Sequence, residues 1–144
     1  MKVKYPSGLL FSGFLITCTA TAVNLLIFNL AHAFGENFII PISEYSPVKE
    51  PMPVLLVVVA TIIPSILAII LFAFLTKFAP KSVMPSFLSV SLTALLVSFG
   101  GPFSLPETGF QTKLILAAMH IMTAIIIVGG LVGYYKIRSS RTIS

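Results

Sequence analysis

The sequence predicts an all-α membrane protein, an antiparallel bundle of four transmembrane helices with its N-terminus and C-terminus in the cytoplasm. Hydrophobic residues make up 57% of the 144-residue chain and charged residues only 9%, against about 25% charged residues in a typical soluble domain. The apolar residues form long blocks, and basic residues concentrate at alternate block ends. A soluble domain could not cover its surface with so few polar side chains.

Four apolar blocks define the predicted helices, which span residues 8–34, 53–78, 85–103 and 112–135. A helix rises about 1.5 Å per residue, so each block can cross a hydrocarbon core of about 30 Å, the third only just. Pro53 and Pro85 stand at helix starts, where the missing N–H donor of proline does no harm. A chain of this length favours one domain, so residues 1–144 are predicted to form a single four-helix transmembrane domain.

The orientation follows from the distribution of lysine and arginine, which concentrate on the cytoplasmic side of membrane proteins. Seven of the nine basic residues lie before the first block, in the second connection or after the last block: Lys2, Lys4, Lys77, Lys81, Lys136, Arg138 and Arg141. All four acids lie in the other two connections. The net charge of +5 therefore marks membrane orientation rather than nucleic-acid binding. We expect a multi-pass protein of the inner (plasma) membrane.

The first outer connection, residues 35–52, is the only long one, and its prolines prevent a regular helix. Its stretch 38–42, Phe-Ile-Ile-Pro-Ile, is too apolar for a freely solvated loop. This stretch is predicted to fold back over the outer mouth of the bundle or to rest in the headgroup layer. Phe38 is predicted to lie at the outer membrane interface, where aromatic residues are enriched.

Uncharged polar residues carry the functional signal because the blocks hold no charges in their interiors. Asn24, Thr61, Ser98 and His120 lie at similar depths, one on each helix, roughly four residues outward of the helix midpoint. The structural interpretation is helix packing, since polar side chains form hydrogen bonds between membrane helices. The functional interpretation is a polar ligand pocket in the outer half of the bundle, with Asn24 facing His120, because intramembrane polar residues are often functional.

Catalytic and metal chemistry have weak support in the sequence. His120 could accept a proton or bond a lipid or quinone carbonyl, but a lone histidine without a carboxylate partner is a poor catalyst and a poor metal site. Cys18 is the only cysteine. We therefore predict no catalytic residue, no metal site and no cofactor. The missing membrane carboxylates and cysteine pairs also exclude small multidrug exporters, quinone-linked disulfide enzymes, claudins and tetraspanins.

Two features bear on helix shape and association. Pro64 lies in the middle of the second block and removes the usual donor of the Ala60 carbonyl, which predicts a kink or a hinge. Gly129 and Gly133 form a small-xxx-small pair on the last helix. Such a pair indicates close packing within the bundle, or a face for a homo-oligomer or a membrane protein partner.

Three short segments resemble an uncharacterised bacterial family of four-helix membrane proteins, the domain of unknown function 6069. They are Ala22-Val23-Asn24-Leu25-Leu26, Ser91-Leu92-Thr93-Ala94-Leu95 and Ala118-Met119-His120. The resemblance covers nearly the whole chain and implies a bacterial cell membrane. It draws attention to Asn24 and His120 but implies no activity. The long, proline-rich first outer loop departs from the length that the resemblance implies.

Three functions fit these observations. The favoured one is a non-enzymatic membrane protein that binds a membrane lipid, another lipid-like or small ligand, or a membrane partner, through the outer-half pocket. The second is a small transporter with a gate at the Pro64 kink. The third is a membrane enzyme that acts on a lipid or quinone through His120.

The orientation can be tested with single-cysteine reporters. Because Ser46 lies in an acid-bearing connection and Ser82 in a lysine-bearing one, an impermeant thiol reagent added outside the cell should label cysteine at position 46 and spare cysteine at position 82. The reverse labelling pattern would overturn the predicted topology.

Overall fold

The computed structural model describes residues 7–41 and 48–140. Within them, four helical spans are long and apolar enough to cross a membrane, which confirms the predicted number of spans. The elements in chain order are α1 (Ser7–Ala33), β1 (Ile39–Pro41), β2 (Lys49–Pro51), α2 (Val54–Phe78), α3 (Val83–Ser98), α4 (Gly100–Ser104) and α5 (Phe110–Ser140). The two short strands are the departure from a purely helical chain.

The third predicted helix is interrupted near its C-terminal end. It divides at Phe99 into α3 and the five-residue α4. Pro102 explains the break, because it has no N–H to donate to the carbonyl of Ser98 and its ring crowds that carbonyl. Gly100 and Gly101 weaken the helix further, since glycine has a low helix propensity.

The last helix is longer than predicted and runs on to Ser140. The prediction stopped where the apolar block stopped, but lysine and arginine are good helix formers and are stabilising near a helix C-terminus. Arg138 also donates a hydrogen bond of 2.6 Å from Nη1 to the Tyr134 hydroxyl one turn earlier. Helix propensity and contacts within α5 itself therefore explain why its polar end is helical.

Contacts along α1 show that it runs antiparallel to both α2 and α5. At one level Asn24 contacts Thr61 and Thr123, and at another Gly13 lies against Ile69. The beginning of α1 and the end of α5 lie together, since Gly8 adjoins Arg138. α3 packs mainly against α2 and α5. The architecture is thus a closely packed trio, α1 with α2 and α5, and a fourth helix on its side.

Glycine allows α1 to approach both of its neighbours closely. A Cβ atom added at Gly13 would lie 2.7 Å from Cδ1 of Ile69, and one added at Gly130 would lie 2.7 Å from Cδ1 and from Cγ1 of Ile16. By contrast, Gly129 and Gly133 face open space. Close packing within the bundle is therefore made by Gly13 and Gly130, and the predicted Gly129–Gly133 pair does not contribute to it.

Two clusters of buried apolar side chains pack the two ends of the bundle. Near the chain ends, Phe72 lies edge-on to Phe87 and to Tyr135, with ring centroids 5.0 and 6.1 Å apart. At the other end, Phe28, Phe38, Met52, Val57 and Met119 form the second cluster. The helix trio is thereby fixed at both ends.

The connection between α1 and α2 forms a small antiparallel hairpin over the bundle. β1 pairs with β2 so that Ile40 lies opposite Glu50, and the Met52 N–H donates to the Phe38 carbonyl at 3.0 Å. Phe38 was predicted at the membrane interface, but it is fully buried and stacks on Phe28 with 4.5 Å between ring centroids. The apolar stretch thus caps the bundle as far as Pro41, and Ile42 lies outside the described residues.

Polar contacts join this hairpin region to the start of α5. Glu36 Oε1 accepts hydrogen bonds from the Phe38 N–H at 3.0 Å and from the Thr112 hydroxyl at 2.8 Å. Lys49 Nζ lies 2.8 Å from Glu107 Oε2. Its hydrogen bond and its positive charge hold the pKa of the Glu107 carboxyl below the ordinary value. These contacts fix the hairpin over the N-terminal end of α5.

A matched pair of alanine substitutions tests the role of the close-packed glycine. Gly130→Ala should lower the free energy of unfolding by about 1–3 kcal/mol, because the new methyl group overlaps Ile16. Gly129→Ala is the control, and it should be neutral or stabilising by up to about 1 kcal/mol, since alanine favours helix and has room there. Reversible unfolding in mixed detergent micelles gives both values; equal effects would contradict the assigned contact.

Candidate ligand cavity

The side-chain amide of Asn24 links three helices in the middle of the bundle. Its nitrogen Nδ2 donates one hydrogen bond to Thr61 Oγ1 at 2.8 Å and another to Thr123 Oγ1 at 2.7 Å. All three residues are buried, with exposed fractions of 3%, 1% and 8% in that order. An amide has two N–H donors, so these two threonines use both of them.

The direction of these bonds leaves the amide oxygen of Asn24 without a partner. The Thr61 hydroxyl donates its hydrogen to the Val57 carbonyl at 2.8 Å, so its oxygen is available to Asn24 only as an acceptor. This fixes the amide with Nδ2 toward the threonines. Asn24 Oδ1 is then a buried acceptor with no hydrogen-bond partner in the described part of the chain. Buried polar atoms normally have hydrogen-bond partners, so the unpaired Asn24 oxygen indicates a candidate functional site.

His120 also presents an acceptor. Its Nδ1 lies 2.7 Å from the Leu116 carbonyl oxygen of its own helix. A carbonyl can only accept, so Nδ1 carries the hydrogen, and in the neutral ring Nε2 is an acceptor. The ring is partly buried, and Nε2 has no hydrogen-bond partner among residues 7–41 and 48–140.

A cavity of about 670 Å³ lies between α3 and the helix trio. All four helical spans and the hairpin contribute to its wall, which is almost entirely apolar. Along one side of α3, Val90, Ala94 and Ser98 follow a spacing of four residues, which places them on one helix face. Ile40 and Met52 line the end next to the hairpin. This volume lies within the usual range of small-molecule sites, about 300–1,000 Å³.

All four of the residues predicted from matched depth, Asn24, Thr61, Ser98 and His120, line this one cavity. Their mutual contacts differ from the prediction. Within the described chain, no hydrogen bond joins Asn24 to His120. Asn24 instead bonds Thr123, one turn along the same helix from His120. The Ser98 hydroxyl donates to the Leu95 carbonyl of its own helix at 2.7 Å.

Pro64 and the peptide that it leaves unpaired belong to the same wall. α2 continues as a helix through Pro64, and both Pro64 and Ala60 line the cavity. The Ala60 carbonyl loses its usual donor because proline has no N–H. Next to it, the Ser65 hydroxyl donates to the Thr61 carbonyl at 2.6 Å. Ala60, a lining residue, therefore has a carbonyl without its helical donor.

Thr123 was not among the site residues predicted from the sequence. Depth alone could not decide whether Thr123 or His120 contacts Asn24. Thr123 lies three residues after His120, and residues at this spacing share a helix face. Its role depends on the rotation of α5 toward α1, which the sequence pattern leaves open. No cluster of three or more histidine, cysteine, aspartate or glutamate side chains in the described residues could hold a metal ion.

Four apolar spans around a cavity define a small multi-pass membrane protein. A family model matches residues 6–136, and the chain belongs to that family, the family of unknown function DUF6069. No curated protein and no solved structure matches the chain. The family assignment therefore agrees with the resemblance seen in the sequence, and the function has to be argued from the site.

Removing one threonine hydroxyl measures the strength of the bonds to Asn24. Thr123→Val should reduce the free energy of unfolding by about 0.6 kcal/mol, and by at most about 1.7, the range measured for bonds between membrane helices. Thr19→Val is the control, since that exposed hydroxyl bonds only the Leu15 carbonyl of its own helix. Unfolding in bicelles should show a loss for the first variant alone; equal losses would contradict an interhelical role for Thr123.

Proposed function

We propose that this protein binds a lipid-like molecule in the cavity between α3 and the helix trio, without catalysing a reaction on it. The observation that carries the proposal is the shape and lining of the cavity. It is elongated along the bundle, with an apolar wall and a small polar collar formed by Asn24, Thr61, His120 and Thr123. Sites for apolar ligands commonly combine such a wall with a few polar groups that fix orientation.

The length of the cavity fits a chain-like occupant. On α5 the lining extends from Leu116 to Val128, and on α2 from Leu56 to Leu71. At about 1.5 Å per residue these stretches correspond to about 18 and 22 Å. On α2 the polar collar lies nearer the outer end, and about 15 Å of wall extends from Thr61 to Leu71 on the inner side. On α5 the wall extends about 12 Å from His120 to Val128, and about 7.5 Å from Thr123 to Val128.

Binding is favoured over catalysis because the wall has few ionisable groups. His120 is the one histidine among the described lining residues, which include no acid, lysine, arginine or cysteine. General acid–base catalysis uses positioned side chains that exchange protons with the substrate, and His120 would be the one such ionisable group among the described lining residues. His120 already uses Nδ1 on the Leu116 carbonyl, so it has one nitrogen left for a ligand.

A transporter is the second candidate, because Pro64 stands in the cavity wall. Proline weakens a helix where it stands, and such positions serve as hinges in membrane helices. The same cavity would then be the substrate site of a transport cycle. The apolar wall favours storage or presentation of a lipid over a water-filled path, so binding remains the first proposal.

The orientation in the membrane is proposed from the charge distribution, and the surface for a partner from two glycines of α5. We place the protein in the plasma membrane of a bacterium with both termini in the cytoplasm, because basic residues concentrate at that end. The cavity then lies in the outer half of the membrane. Gly129 and Gly133 face open space on α5, and they offer a surface to a second copy or another membrane protein.

Filling the cavity should abolish binding. Ala124 lines the cavity, whereas Ala118 on the same helix is exposed and lies outside it. Native mass spectrometry of the protein released from nanodiscs should show a retained lipid for the wild type and for Ala118→Phe. Ala124→Phe should lose it, because the ring occupies the space of the ligand. Equal retention by all three proteins would contradict binding in this cavity.

A further inference from the structure

We infer that the occupant is a neutral, single-chain lipid with a hydroxyl headgroup, a lipid alcohol. This inference rests on the proposed function and names the class of ligand for that site. It follows from the hydrogen-bonding capacity that remains around the polar collar once the internal bonds are counted.

The donors of the collar are largely used within the protein. Both N–H groups of Asn24 donate to threonine hydroxyls. The Thr61 hydroxyl donates to the Val57 carbonyl, and His120 Nδ1 donates to the Leu116 carbonyl. In contrast, Asn24 Oδ1 has no donor, and the Ala60 carbonyl lacks its helical one. The collar is therefore richer in acceptors than in donors.

His120 Nε2 is the acceptor that a ligand meets first. Asn24 Oδ1 is covered by neighbouring atoms, whereas the His120 ring is only partly buried and lines the cavity. A ligand that donates a hydrogen bond to Nε2 satisfies the imidazole without disturbing its bond to Leu116. A carbonyl headgroup cannot do so, because it would place two acceptors against each other. This disfavours the quinone carbonyl considered from the sequence.

A hydroxyl group suits the neighbouring side chain as well. Thr123 lies one turn from His120, and its oxygen already accepts from Asn24. The hydrogen of the Thr123 hydroxyl can then be directed at a ligand oxygen. A hydroxyl headgroup both donates and accepts, so one group can serve His120 Nε2 and Thr123 together.

Charge narrows the class further. An anionic headgroup would bring more acceptors and a negative charge into a wall with no lysine or arginine among its described residues. A cationic headgroup would find no carboxylate there. Burying an unpaired charge is far more unfavourable than burying a hydrogen-bonded hydroxyl. The headgroup is therefore neutral, and the inner part of the cavity takes one apolar chain.

The test uses dodecanol, the methyl ketone of the same chain length, and dodecane, offered in equal amounts to the purified protein. Native mass spectrometry counts the bound molecules of each. We expect dodecanol to exceed the ketone about tenfold, the upper end for one net hydrogen bond. In His120→Phe the ratio of alcohol to ketone should fall toward one, while Thr93→Val, an exposed change outside the cavity, should keep the wild-type ratio.

The outcomes separate this inference from the proposed function. Equal binding of alcohol, ketone and alkane by the wild type would overturn the hydroxyl headgroup and leave the cavity as a lipid site. A preference for the ketone would overturn it too. The donor would then be the hydroxyl of Thr123 or of Ser91, which also lines the cavity. Binding of none of the three above the level of Ala124→Phe would overturn the proposed function itself. The wild-type ratio decides the matter even where His120→Phe does not fold.

Discussion

The structure depends on the Asn24 amide, which holds three helices together with two hydrogen bonds from one nitrogen. In a bundle without interior charges, this is the point where α1, α2 and α5 are joined by polar contact. Lipid gives helices no hydrophobic reason to associate, so close packing and such bonds have to do it. Gly13 and Gly130 complete the arrangement, because they let the backbones come near enough for short polar side chains to meet.

The same arrangement leaves α3 apart. Its buried side chains are Val83 and Phe87, both near its beginning, where Phe87 packs on Phe72. Farther along, its residues face the cavity instead of a neighbouring helix. Pro102 then breaks the regular helix after Ser98. The cavity exists because α1, α2 and α5 bond and pack with one another, while α3 is packed firmly at only one end.

The four spans were predictable because long uncharged blocks leave a chain few alternatives. Helical rise alone predicted Asn24 and Thr61 at one depth, and a hydrogen bond joins them. The matching depth of Ser98 and His120 stays a prediction, although both line the same cavity. The partner of Asn24 on α5 was not predictable, since choosing Thr123 over His120 requires the rotation of α5. The stretch 38–42 was predicted to fold back over the bundle or to rest in the headgroup layer. The choice between the two was not predictable, because the stacking of Phe38 on Phe28 and the hairpin that positions it arise from tertiary contacts.

The apolar wall of the cavity has a thermodynamic consequence for any occupant that arrives from the bilayer. Such a molecule leaves one hydrocarbon environment for another, so little apolar surface is removed from water. The large negative heat-capacity change that marks hydrophobic association in water is then absent. Lipid chains are themselves the competing solvent, present at very high concentration. Discrimination among occupants consequently falls to the few polar atoms around Asn24 and His120, and chain length sets only what fits.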